Sequence, residues 1–319
     1  MPTAPNFAPL ARSAALAALA FVATAAVAAP PAPGTNDSAE PIVVTGTVLT
    51  PDEAERRANE FIRSTGVAKG MKPAARWGEP VCPRVIGLRP DQGQTVLLKM
   101  RAVAQEAGIS LGREGCDANI TVSFTADAGA IVREVQRRSP GRLREVPAEE
   151  RAALLTGPAP IRWWYSTDVQ SRTGGKGQSA PAPWFKADAS EGASEGGTLN
   201  LPNPGGTLHH YNSSIVSTQV ERVLLNASIL IDAKAVAGVP LDALASYAAM
   251  VAFAEIRPSD PAPSGSVLAL FDTKRSSQEI TEQDMAFLRA LYRLQLDRPA
   301  RYHRGILVKG LVAAQKTGG

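Results

Sequence analysis

Apolar positions along this chain recur at helical spacing in some stretches and at alternate positions in others, and the change of period marks the elements. Thr50-Pro51-Asp52-Glu53 is a capping box with Pro at the first helical position, so a polar helix is predicted from there to about Ser64. "STGVAKGMKPAAR" then reads as a linker. "EPVCPRVIGL" predicts a short strand among turn residues. "DQGQTVLLKMRAVAQEAG" carries Val96, Met100, Val103 and Ala107 at helical spacing, with Gly108 as a stop. "ANITVSFTAD" alternates and is rich in β-branched residues, as a buried strand does. "AGAIVREVQRR" and "VPAEERAALLTG" predict two more helices, the second opening at Pro147, and "IRWWYSTDV" another strand.

The last third repeats the logic. A short strand is predicted near Ile215 and a longer one from about Arg222 to Asp232. Helix is the rival there, but the β-branched density of "ASILIDA" favours strand. Leu241 to Pro258, "LDALASYAAMVAFAEIRP", is apolar on every face, which predicts a helix buried all round. "SGSVLALFD" follows as a loop or extended piece. Thr281 caps an amphipathic helix that turns Met285, Leu288, Leu291 and Leu294 inward. The tail after it wraps back or frays. These elements predict an α+β fold: a mixed β-sheet packed on a central buried helix and a C-terminal amphipathic helix.

Composition divides the chain further. Arg12 is followed by "SAALAALAFVATAAVAAP", with small residues at Ala26 and Ala28. That pattern predicts a signal peptide over residues 1–29. A membrane anchor is the alternative, although the run is shorter than the ~20 apolar residues a span needs. Residues 30–75 are expected to be a flexible leader with one polar helix, residues 76–310 the main domain, and residues 311–319 a tail. Ser171 to Gly206, dominated by Gly, Ser, Ala and Pro, reads as a long disordered insertion. No later segment is apolar enough to span a membrane. The formal charge of +4 falls by one when Arg12 is removed, too little to imply a nucleic-acid partner.

Candidate chemistry is sparse. Two cysteines, Cys82 and Cys116, predict one disulfide in an exported protein, with free thiols as the alternative. The three histidines, His209, His210 and His303, show no metal-ligand spacing. "GASEG" matches the letters of a nucleophile elbow but lacks the strand and helix that such an elbow needs. Glu255, Asp260 and Asp272 are expected to be solvated or capping carboxylates, with acid–base work by a carboxylate pair as the alternative. Arg133, Arg137, Arg138, Arg142 and Arg144 are expected to form a solvated face, with a surface for anionic lipid or polysaccharide as the alternative. Trp163, Trp164 and Tyr165 are candidates for a binding groove, with part of the trio required by the core.

The final third resembles the C-terminal half of a metzincin-type zinc protease. In that family strands lead into a long buried helix bearing H-E-x-x-H, then a turn, then a last helix. That last helix opens with Thr and Asp and ends in Leu-Tyr, as Thr281, Asp284, Leu291 and Tyr292 do here. The resemblance implies a zincin-like fold and aligns Tyr247, Ala248 and Val251 with the first His, the Glu and the second His. Val cannot bind a metal and Ala cannot move a proton, so neither metal nor other cofactor is expected. The chain is also similar to exported bacterial domains that carry a "YAAMV" helix. "EPIVVTG", Glu40 to Gly46, resembles the TonB box of outer-membrane receptors, with a locally pairing β-prone patch as the alternative.

The function these features point to is a non-catalytic binding or structural module, periplasmic or secreted, on a metal-free zincin-like scaffold. Its expected partner class is an envelope protein or polysaccharide. A hydrolase with a non-zinc site and a TonB-associated envelope component are the alternatives.

Overall fold

The computed structural model describes residues 49–171, 218, 220–258, 261–272 and 277–317. The expected signal peptide, the "IVVTG" segment, the insertion beyond Ser171, His209, His210, Asp260 and the strand near Ile215 lie outside the described residues.

Five strands make one mixed sheet: β1 (Arg76–Trp77), β2 (Pro83–Ile86), β3 (Ile120–Thr125), β4 (Ile161–Ser171) and β5 (Val220–Asp232). β2, β3 and β5 run parallel and adjacent, and β4 closes the other side of β5 antiparallel. β1 pairs with Val223 and Leu224 of β5 while β3 pairs with Ala227–Asp232, so β1 and β3 share one edge of β5 end to end. The β-branched run that favoured strand over helix is therefore the middle of the sheet.

Helices cover both faces. One carries α1 (Pro51–Thr65), α2 (Pro90–Ala107), α5 (Leu241–Phe253), α6 (Glu282–Tyr292) and α7 (Ala300–Thr317). The other carries α3 (Ala128–Arg138) and α4 (Ala148–Thr156), whose Val132 and Leu154 close over Trp164 and Leu230. α2 ends at Gly108 in the left-handed conformation (φ 75°), where glycine carries no Cβ penalty. Every residue of α5 from Ala243 to Phe253 is buried, as a helix apolar all round requires.

Three expectations are corrected. α5 stops at Phe253 rather than running to Pro258: Ala254 is extended (φ −139°, ψ 148°), which turns Glu255 out of the helical path. The helix assigned to a flexible leader is docked, because Phe61 and Ile62 are buried and Phe61 meets Phe287 edge-on at 5.7 Å. The presumed linker after it buries Val67, Ala68, Ala74 and Ala75. Of the two courses expected for the tail, it takes the first and wraps back: α7 packs on α1 and α6, and Gly310 lets it approach α6 so closely that a Cβ there would lie 2.7 Å from the Ala290 methyl.

The α6 N-terminus fastens the turn before it. Thr281 and Asp284 form a reciprocal capping box. The Asp284 carboxylate also accepts from the Ser266 hydroxyl (2.5 Å) and the Val267 amide (2.8 Å). Burial pushes the Asp284 pKa up, against these hydrogen bonds. The short 3-10 turn Val267–Ala269 is thereby fixed against α5.

Candidate functional site

A cavity of about 420 Å³ opens beside β4, a volume in the range of small-ligand and side-chain pockets. Ile161, Trp163 and Tyr165 of β4 line it. Glu150, Ala153 and Leu154 of α4 stand on one side, and Tyr247, Glu255, Arg257 and Phe271 on the other. It thus lies at the sheet edge, between the two helical layers.

The pairing pattern of β4 sets what the cavity can offer. The Asp232 amide donates to the Pro160 carbonyl at 2.9 Å, so even-numbered residues of β4 aim their backbone groups at β5. The odd positions face outward. Thr167 does so, and its amide donates to the Glu145 carboxylate at 2.8 Å. Glu145 also accepts from the Thr167 hydroxyl, and so closes that end of the edge. Ile161, Trp163 and Tyr165 share the outward phase, and no described residue pairs with their backbone groups. A strand edge unpaired among the described residues, beside a cavity with an aromatic wall, is a template for another strand.

The aromatic side chains are fixed by polar tips. The Trp163 indole N–H donates to the Ile256 carbonyl (2.9 Å). The Tyr165 hydroxyl donates to the Val251 carbonyl (2.6 Å) and accepts from the Ile256 amide (3.2 Å). Trp163 and Phe271 each meet Tyr247 edge-on, with ring centroids at 6.0 and 5.8 Å. The Tyr247 hydroxyl makes no hydrogen bond to a described residue. Burial pushes both phenols well above the ordinary tyrosine pKa, so both stay neutral.

The sequence grouped Trp163, Trp164 and Tyr165. The structure brings Trp163 and Tyr165 together with Tyr247 and packs Trp164 into the small core on the opposite face, where it also borders the cavity. Ala248 and Val251, the other two positions aligned with the zinc motif, are fully buried apolar packing. Among the described residues no group of three or more His, Cys, Asp or Glu side chains is placed to hold a metal ion. Cys82 and Cys116 are joined in a disulfide away from the cavity, closing the loop that contains α2.

Glu255 is a site residue that the sequence named but whose surroundings it did not show. It is not a solvated carboxylate but 6 % exposed, and it meets three cations. Arg222 reaches it with two nitrogens (2.8 and 3.2 Å), Lys72 at 2.8 Å and Arg257 at 3.0 Å. Arg257 also reaches Glu150 across the cavity wall at 3.3 Å. Burial alone would raise the Glu255 pKa, but the hydrogen bonds and charge of Arg222, then Lys72, hold it at about 2. Its one sequence signal was a carboxylate among apolar residues just before Pro258. Arg222 and Lys72 are far away in sequence, and only the fold brings them in.

The basic stretch does lie on a surface. Arg137 and Arg138 both pair with Glu134, and Arg133 reaches Asp127 at 3.9 Å. No membrane-spanning helix occurs among the described residues. Comparison with protein-family models, with curated proteins and with solved structures finds no match for this chain.

Proposed function

We propose that this chain is an exported, non-catalytic binding module on a metal-free, zincin-like scaffold, and that it takes an extended polypeptide segment along the outer edge of β4. One observation carries this: Ile161, Trp163 and Tyr165 present unpaired backbone groups beside an aromatic-lined cavity. An added strand would satisfy those groups and place one apolar side chain among Trp163, Tyr247 and Phe271. Backbone pairing supplies affinity in such a mode, and the cavity supplies selectivity.

The zincin-like part rests on the order of elements. β5 leads into the buried α5, a turn follows, and α6 opens with the Thr281–Asp284 capping box. The disulfide fits an oxidising compartment, periplasmic or extracellular. Four carboxylates line the cavity, Asp272 among them, and three are committed to partners described above: Glu145 to Thr167, Glu150 to Arg257, and Glu255 to its cations. Acid–base chemistry at any of these three would first have to break its contact.

A peptide library displayed on phage and selected on the purified chain tests the proposal. Selected peptides should be extended, with an apolar residue at one fixed position. They should lose at least ten-fold in affinity on Phe271→Ser, which alters a cavity wall that is one-third exposed. Selection of nothing, or of peptides that bind Phe271→Ser equally well, would contradict it.

A further inference from the structure

His303 is fully buried on α7, and both ring nitrogens are engaged. Nδ1 accepts the Ala74 backbone N–H at 3.0 Å, so the ring proton sits on Nε2, which donates to the Gln295 carbonyl at 2.9 Å. The segment it holds is tied at three successive residues. Lys72 pairs with Glu255, the Pro73 carbonyl accepts from Arg222 at 2.7 Å, and Ala74 donates to His303. The same Arg222 grips Glu255, whose neighbours Ile256 and Arg257 form the cavity wall. His303 is therefore linked to the cavity through Ala74, Pro73 and Arg222.

A second proton has no place in this arrangement. Protonated Nδ1 becomes a donor and would face the Ala74 N–H, leaving two buried donors opposed. Charged residues on the surrounding elements include Lys72 and Arg76 on either side of Ala74, Arg222 on β5, Arg293 at the end of α6, Asp297 and Arg298 before α7, Arg301 and Arg304 on α7, and Glu60 and Arg63 on α1. Asp297 favours protonation of the ring, as does the Gln295 carbonyl, but burial outweighs both and holds the pKa below the ordinary histidine value.

We propose that His303 is an acid-sensitive latch: a proton on Nδ1 ejects the Ala74 amide, frees the Lys72–Ala75 segment from α7 and loosens the cavity wall at Ile256 and Arg257. The neutral state is the closed one, so the latch holds at neutral pH and releases in acid.

The test uses the full chain with His209→Gln and His210→Gln, which leaves His303 as its one imidazole. NMR follows the ring, the Ala74 amide and the Trp163 indole N–H from about pH 7.5 to about pH 5, the span over which a histidine titrates. The ring should titrate below about 6.5, the ordinary value. Ala74 exchange, corrected for its intrinsic rate, should quicken at least ten-fold over the same span. The Trp163 indole, bonded to Ile256, should quicken with it. Adding His303→Gln, which can accept from Ala74 and donate to Gln295, should abolish both responses. A ring titrating at or above about 6.5, or Ala74 protection indifferent to pH, would overturn the latch. Retention of both responses in His303→Gln would also overturn it, and a silent Trp163 would overturn its link to the cavity. The ring titration and the exchange of the unsubstituted position decide the matter even if His303→Gln fails to fold.

Discussion

Arg222 and Glu255 meet through two hydrogen bonds, at 2.8 and 3.2 Å, across 33 residues of sequence, and each is buried. Arg222 opens β5 and Glu255 follows α5, so the pair ties the start of the central strand to the end of the central helix. Lys72 and Arg257 complete the cluster. A carboxylate facing three cations cannot be removed quietly, because Arg222 and Arg257, both largely shielded from water, would then stand mutually repelling without it.

Glu255→Gln should therefore cost about 3–5 kcal/mol, measured by denaturant unfolding near neutral pH. The pH dependence follows from the lowered pKa. Glu255 contributes stability that is complete above its unfolded value, about 4.5, and is lost as pH falls through about 2. That window is worth about 3 kcal/mol. Acid unfolding of Glu255→Gln should lack this component, and an acid limb identical to the parent's would refute the assignment.

Val251→Asp should destabilise by several kcal/mol, since it places an unpaired charge at a fully buried position of α5. Met71→Ser, at a position 91 % exposed, should change stability by less than about 0.5 kcal/mol. Melting curves of the two variants that coincide would contradict the burial of α5.

The Cys82–Cys116 bridge closes a sequence separation of 34 residues, so reducing it should cost about 3–4 kcal/mol by loop entropy. Thiol titration of the denatured, unreduced chain should find almost no free thiol.

Asp284→Ala should leave the Val267 amide and the Ser266 hydroxyl without their acceptor and remove the α6 capping box. A loss of about 2–4 kcal/mol is expected, more than for a surface cap alone. Asp284→Asn, which keeps an acceptor oxygen, should lose less. Denaturant midpoints of the two variants decide it.

What the sequence carried was local. The Thr50–Glu53 and Thr281–Asp284 caps, the Gly108 stop and the alternation of Ile120 to Phe124 each depend on residues a few positions apart, and each element formed where its pattern lies. The site was legible only in part, because its polar contacts join distant segments. Trp163 and Tyr247 could be named as candidates, but their meeting depends on which face of β4 looks at α5. Lys72, Arg222 and Glu255 share no motif, and α1 read as leader because its few buried residues sit in a charged sequence. The early end of α5 depends on Tyr165, whose hydroxyl bonds both the Val251 carbonyl and the Ile256 amide across the helix terminus. None of these contacts has a periodicity.

The central claim is the open outer edge of β4, and backbone amide exchange along that strand tests it without a ligand. Arg162 and Trp164, whose amides face β5, should be strongly protected. Trp163 and Tyr165, which have no backbone partner among the described residues, should exchange at least a hundred-fold faster, a ratio set by roughly 3 kcal/mol of local protection. A selected peptide should then protect Trp163 and Tyr165 while leaving their even-numbered neighbours unchanged. Equal protection of all four amides in the free chain would mean that the edge is already occupied, and it would contradict the account.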